Sequence, residues 1–193
     1  MSLFEFVLTG FTLVLALAVT RLLGGMRYVL DRDRRYWVHS LLVIVLLLLA
    51  SLIWWGLWYA RNTQWTYLAF AYNLLIGPGI LYFASTLLVP ENPRRIRNWR
   101  EYYYRFHRLF YGAFGVLVLL LFAGSILFTG TPLLHFTRVL QAVALAICLI
   151  GATSDRHAVH GTLAILLLLL ILAAAAYSEL TSRQDLATGS LLD

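Results

Sequence analysis

Apolar positions dominate six stretches of the chain, at about 3–25, 37–60, 66–89, 107–129, 133–153 and 157–178, and polar positions gather in the short segments between them. Each stretch is long enough to cross a bilayer, whose hydrocarbon core of about 30 Å takes about 20 residues of helix. The runs are continuous rather than alternating, which disfavours transmembrane strands. Backbone groups in lipid must be satisfied within each segment, so the runs read as helices. The pattern predicts an all-α, polytopic membrane protein: one transmembrane domain over residues 1–193, with six transmembrane helices. The polar segment 178–193, with Glu179, Asp185 and Asp193, reads as a short mobile tail.

Charge adds a direction to this picture. Every basic side chain is Arg, and there is no Lys. Arg27, Arg32, Arg34, Arg35, the six arginines from Arg94 to Arg108, and Arg156 fall in the first, third and fifth connections. Arg61, Arg138 and Arg183 fall on the other side. The positive-inside rule then puts both termini outside. Tryptophans and tyrosines mark both interfaces: Trp54, Trp55, Trp58 and Trp65 on the outer side, Tyr36, Trp37, Trp99 and Tyr102 on the inner. The N-terminal stretch lacks the basic start of a signal peptide and reads as a retained helix.

Composition agrees: 61% of the 193 residues are hydrophobic and 12% charged, against about 45–50% and about 25% in soluble domains. The net charge of +6 sits between apolar runs, so it points to lipid and not to nucleic acid. The lone cysteine, Cys148, allows no intrachain disulfide or CxxC pair.

The basic stretch 91–111 carries a pattern of its own. Ile96, Trp99, Tyr103, Phe106 and Phe110 recur at helical spacing on one face; Arg94, Arg97, Glu101, Arg105 and Arg108 recur on another. Asn92 and Pro93 suit a helix start. This predicts an amphipathic interfacial helix over about 93–106, before the fourth span, with Glu101 paired to Arg97 and Arg105. Arg94, Arg97, Arg105 and Arg108 become candidates for anionic lipid on the inner face.

Candidate chemistry is sparse. In the third span, Gly77-Pro78-Gly79 predicts a kink, because Pro78 cannot donate to the Leu74 carbonyl. With Asn73 one turn earlier, this resembles the broken helices that hold transporter sites. The first span carries a polar stripe, Glu5, Thr9, Thr12, Ala16 and Thr20, expected to face inward or to a partner. The fifth carries Thr137, Gln141, Ala144, Cys148 and Gly151, and small and polar residues of this kind pack helices closely. Joining the two stripes would pair Glu5 with Arg138. Arg21 lies inside the first span, either snorkelling or on a pathway. Ligand or pathway candidates are therefore Glu5, Thr9, Arg21, Asn73, Gly77, Pro78 and Gly79. Four histidines, His39, His107, His157 and His160, fall near the inner ends and are weak metal or haem candidates, since a site needs three or four convergent ligands. No cofactor is expected.

Enzyme chemistry finds little support. Ser125 and His160 would sit about 20–25 Å apart in depth, too far for a nucleophile and its base. No phosphate loop or acidic metal motif is present.

The segments FEF (4–6), TRLL (20–23), YWVH (36–39), WWGLW (54–58), GPGILY (77–82) and the Tyr/Arg/Phe-rich 102–111 resemble a family of small, uncharacterised bacterial six-helix membrane proteins. The likeness covers most of the chain. It implies a bacterial inner membrane and brings no activity. The leading expectation is a channel-like, transporter-like or small-ligand-binding bundle, able to form a homo-oligomer. An accessory or scaffold subunit of a larger membrane complex is the second, and a haem or metal electron-transfer protein the weakest.

Overall fold

The computed structural model describes residues 3–57, 66–127 and 135–188. Among them every regular element is helical. The elements are α1 (Leu3–Val29), α2 (Trp37–Gly56), α3 (Tyr67–Ala71), a π-helical turn (Tyr72–Ile76), α4 (Gly77–Leu88), a 3-10 turn (Pro93–Arg95), α5 (Trp99–Leu127), α6 (Phe136–Thr153) and α7 (His157–Thr188). Five helices, α1, α2, α5, α6 and α7, are long and apolar enough to cross a membrane. Large apolar side chains turn outward on all sides, among them Leu13, Leu119, Leu149 and Leu169, with Leu149 70% exposed. Such a surface belongs in lipid and not in water. Trp58, Arg61 and Trp65 lie outside the described residues.

Each helix packs on the next around a closed order, α2–α1–α4–α5–α6–α7 and back to α2. Helix α2 also touches α4 and α5, so it sits furthest inward. Helix α1 buries Val7, Phe11, Leu15, Ala18, Leu22, Gly25 and Val29, a strict seam of threes and fours. Helix α5 buries Trp99, Tyr103, His107, Phe110, Phe114 and Leu117 in the same rhythm.

Several expectations change at this level. The seam of α5 is continuous from Trp99 onward, so the predicted interfacial helix is not a separate element. Its aromatic face from Trp99 to Phe110 is the first three turns of α5 and lies against the protein core, with Trp99 and Phe110 almost fully buried. Only Pro93–Arg95 precedes it, as a 3-10 turn. The Glu101 pairs do not form; among the described residues Arg108 instead bonds Asp155 at 2.9 Å. Helix α7 continues past Ser178 to Thr188, where a mobile tail was expected, supported by the Glu179–Arg183 pair at 2.8 Å.

The kink at Pro78 takes a definite form. The Gly77 N–H bonds the Tyr72 carbonyl, five residues back. Widening the turn in this way accommodates the proline without unwinding the chain. Helix α3, the π turn and α4 follow one another without interruption from Tyr67 to Leu88.

The polar stripe of α1 is the largest surprise. Glu5, Thr9, Thr12, Ala16 and Thr20 are all exposed, opposite the apolar seam. Helices α1 and α6 take different neighbours, so the proposed joining of their stripes, and with it the Glu5–Arg138 pairing, has no packed interface to form in. The α6 stripe does face inward: Gly151 lies against the Tyr111 ring, where an added Cβ would meet three ring atoms at 2.7 Å.

Candidate functional site

The three arginine-rich connections converge on one end of the bundle, and buried side chains there close the helix ends. The last carbonyls of a helix have no partner within it. At this end one or two on each of α1, α4 and α6 are taken by a side chain of another helix. The Ser40 hydroxyl donates to the Val29 carbonyl at 2.9 Å, and the Trp99 indole to Tyr28 at 2.9 Å. His39 Nε2 donates to Leu88 at 2.9 Å and Arg21 Nε to Val89 at 2.7 Å. His160 Nε2 donates to Ser154 at 2.9 Å. Three of these donors are ionisable-type residues in apolar spans, and the bonds give the physical reason they are there.

His160 extends this into a network. Its Nε2 carries a proton for Ser154, so in the neutral ring Nδ1 must accept, and the Tyr103 hydroxyl lies 2.8 Å away. Tyr103 in turn stands 3.4 Å from the Tyr111 hydroxyl. His107 Nδ1 donates to the Tyr104 carbonyl at 2.8 Å, and its Nε2 faces Asp155 at 3.3 Å. An ion pair forms there when the ring is protonated. The His107 and His160 rings stand perpendicular with centroids 5.0 Å apart. His157 Nδ1 accepts from Tyr36 at 2.8 Å. Burial holds the Tyr36 phenol well above the usual tyrosine range, so it stays protonated and donates. The four histidines thus take separate protein partners. Among the described residues no group of three or more His, Cys, Asp and Glu is placed to hold a metal ion.

The candidate ligand site lies toward the other end. A cavity of about 460 Å³ opens at the centre of the ring, with walls from every spanning segment. Phe11, Leu49, Phe114, Leu121, Leu167 and Ile171 make it mostly apolar. Tyr72, Asn73, Ser125, His135, Thr137 and Gln141 supply its polar groups. The π turn positions the first two. Tyr72 donates to the Leu120 carbonyl, and Gly124 leaves room for its ring, since a Cβ there would come within 2.8 Å. Asn73 Nδ2 donates to Ala69 at 2.8 Å, and its Oδ1 bonds no described residue. On α6, Gln141 Oε1 accepts from Arg138 at 3.3 Å, while its amide nitrogen bonds no described residue. Arg138, 5% exposed, also donates to the Phe122 carbonyl at 2.9 Å and to Ser125. His135 Nδ1 accepts from Thr137, leaving Nε2–H for the Tyr177 oxygen at 3.1 Å.

The sequence candidates therefore separate. Asn73 lines the central cavity. Arg21 and Arg94 line a groove at the arginine-rich end. Glu5 and Thr9 lie on the outer face of α1, with the Thr9 hydroxyl on the Glu5 carbonyl at 2.8 Å. Gly77, Pro78 and Gly79 line neither space: Pro78 is buried, an added Cβ at Gly79 would meet nothing within 4 Å, and one at Gly77 only the Tyr72 carbonyl at 3.7 Å. Their contribution is the π turn that aims Tyr72 and Asn73. Arg97 and Arg105 are exposed, and Arg108 is held by Asp155. Sequence reasoning missed Tyr72 and His135, weighed Ser125 only as a nucleophile, and read Gln141 only as a packing residue. A tyrosine one residue before Asn73 in the same proline-broken span was the available signal for the first.

Comparison with protein-family models, curated proteins and solved structures finds no match.

Proposed function

We propose that this is a six-span integral membrane protein of a bacterial inner membrane whose central cavity holds a small amphipathic molecule with a neutral, hydrogen-bonding head. The sixth crossing is the uninterrupted run from α3 through the π turn to α4. The carrying observation is a pair of polar atoms that bond no described residue in a mostly apolar cavity, Asn73 Oδ1 as acceptor and the Gln141 amide as donor. A hydroxyl or primary amide on an aliphatic body satisfies both. The volume of about 460 Å³ falls within the roughly 300–1,000 Å³ of small-molecule sites, which are likewise mostly apolar with few fixed polar groups.

Binding of a radiolabelled long-chain alcohol to the protein in nanodiscs tests this. Saturable binding is expected, weakened about five- to tenfold by Gln141→Leu or Asn73→Leu, the worth of about one hydrogen bond. Uptake that never saturates and ignores both substitutions refutes it.

The exposed polar stripe of α1 favours a second reading, a subunit of a homo-oligomer or of a larger membrane complex. Polar residues on an outer helix face bond across helices when a partner covers them. In a Cys148→Ala background, Thr9→Cys forming intermolecular disulfides in native membranes supports it; a strictly monomeric protein in mild detergent and in membranes refutes the homo-oligomer.

A further inference from the structure

The connections at the arginine-rich end frame a second space, a groove of about 620 Å³ between the C-terminal half of α1 and the segment from Val89 to Arg94. Three guanidinium groups border it. Arg21 is half-buried and fixed by its Nε on the Val89 carbonyl, and its two terminal nitrogens bond no described residue. Arg94 donates through Nε to the Tyr28 hydroxyl at 2.7 Å, and Arg27 donates to the same oxygen. Two cations thus converge on one phenol, with the third on the same groove. None of the ion pairs among the described residues includes Arg21, Arg27 or Arg94. Glu91 also borders the groove, and it takes none of the three.

Like charges gathered without a carboxylate between them are stabilised by an anion, and guanidinium groups match phosphate oxygens in geometry. The remaining walls indicate what carries the phosphate. Gly24 leaves open space in the groove, with nothing within 4 Å of an added Cβ. Leu17, 57% exposed, and Tyr82, 37% exposed, carry the wall onto the apolar outer surface. The cationic part and the lipid-facing part are therefore continuous.

We infer that this groove is a binding site for a phosphate-bearing anion, with Arg21, Arg27 and Arg94 as its ligands. The site differs from the solvated arginines of α5: Arg97 and Arg105 stand apart from it, and Arg108 is already paired. It is also separate from the central cavity, so either can fail without the other. A phospholipid headgroup and a free phosphate share the chemistry, and the walls at Leu17 and Tyr82 suit an acyl chain.

The test is native mass spectrometry of the detergent-purified protein titrated with dioleoylphosphatidylglycerol, with inorganic phosphate and glycerol phosphate as competitors. Two variants are compared with the parent, Arg27→Gln/Arg94→Gln and Gly24→Leu. The first removes charge; the second fills the groove and leaves every arginine in place. One phosphatidylglycerol per chain is expected to survive in the parent. The charge variant should bind about 30-fold more weakly, from two arginines near an anionic headgroup, and Gly24→Leu should lose the retained lipid. Should the charge variant not fold, Gly24→Leu decides alone. Indifference of the retained lipid to soluble phosphates identifies a lipid headgroup. Competition by inorganic phosphate at equal concentration identifies a free-phosphate site. Lipid retention unchanged in Gly24→Leu, with no phosphate binding to the parent, overturns the inference.

Discussion

Tyr103 and His160 form a buried pair whose energetic coupling can be read directly. His160 is fully buried and Tyr103 is 2% exposed, and the bond between them is 2.8 Å. Tyr103→Phe keeps the ring and removes the hydroxyl, leaving His160 Nδ1 as a buried acceptor without a donor. That costs about 1–3 kcal/mol, more than the net worth of the bond, because no water replaces the lost partner. His160→Leu takes the donor from the part-buried Ser154 carbonyl and leaves the Tyr103 hydroxyl only its longer 3.4 Å contact to Tyr111, and costs about 1–3 kcal/mol on the same basis. In the double variant the unpaired His160 Nδ1 and the Tyr103 hydroxyl are both gone. Its cost should fall short of the sum by about 1–3 kcal/mol, the cost of the Nδ1 orphan, within the range for residues in one hydrogen-bonded network. Equilibrium unfolding in mixed micelles, followed by near-ultraviolet circular dichroism at neutral pH, supplies all four corners of the cycle. Additivity to within about 0.5 kcal/mol would mean the two side chains do not share a buried bond, and the network at this end would be wrong.

Adjacent glycines should respond with opposite signs. An added Cβ at Gly25 would lie 2.2 Å from Val89 Cγ1, while one at Gly24 meets nothing within 4 Å. Gly25→Ala should cost about 1–3 kcal/mol by overpacking and be rescued by Val89→Ala, whereas Gly24→Ala should stabilise by up to about 1 kcal/mol through helix propensity; thermal unfolding of the three variants checks both. Tyr36 predicts an alkaline limb. Its folded pKa is raised above the unfolded 10.0, so stability is present below pH 10.0 and is lost as pH climbs beyond it. Tyr36→Phe should flatten that fall by about 1.4 kcal/mol per pH unit, measured in chemical denaturation at stepped alkaline pH. Orientation is open to labelling in a Cys148→Ala background. Asp33→Cys and Asn98→Cys should react with an impermeant maleimide only after permeabilisation, and Thr66→Cys in intact cells.

What the sequence disclosed follows from what the bilayer imposes. Apolar run length is dictated by membrane thickness, so the spans were legible, and five stand as long apolar helices. The convergence of the basic connections at one end was legible for the same reason. Facing was not. In water, the apolar side of a helix must turn inward; in lipid, an apolar side satisfies either environment. The stripe of α1 through Glu5 and Thr9 was expected to face inward or a partner, and the structure buries the opposite, apolar seam through Val7 and Phe11. The stripe of α6 was read as a close-packing face, and Gly151 does lie against a ring, that of Tyr111 on α5 and not the stripe of α1.

The functional candidates were legible as residues but not as groups. Asn73 was singled out for its place before Pro78, and it does border a cavity. Its partner across that space, Gln141, lies 68 positions later, a separation no periodicity reveals. The histidines looked like interfacial caps or ligands. The targets of His39 and His160, the carbonyls of Leu88 and Ser154, depend on which helix ends meet, and that is a property of the packed bundle. Arg21 likewise reads as a snorkelling residue until Val89 is placed beside it.

Photo-crosslinking of a diazirine-bearing long-chain alcohol to the protein in liposomes tests the central cavity most directly. Adducts are expected on inward residues such as Leu49, Leu121 and Ala144, displaced by unlabelled alcohol and lost in Gln141→Leu. Adducts confined to the outward residues Leu13, Leu119 and Leu149, and indifferent to Gln141→Leu, would show that the cavity holds no such ligand.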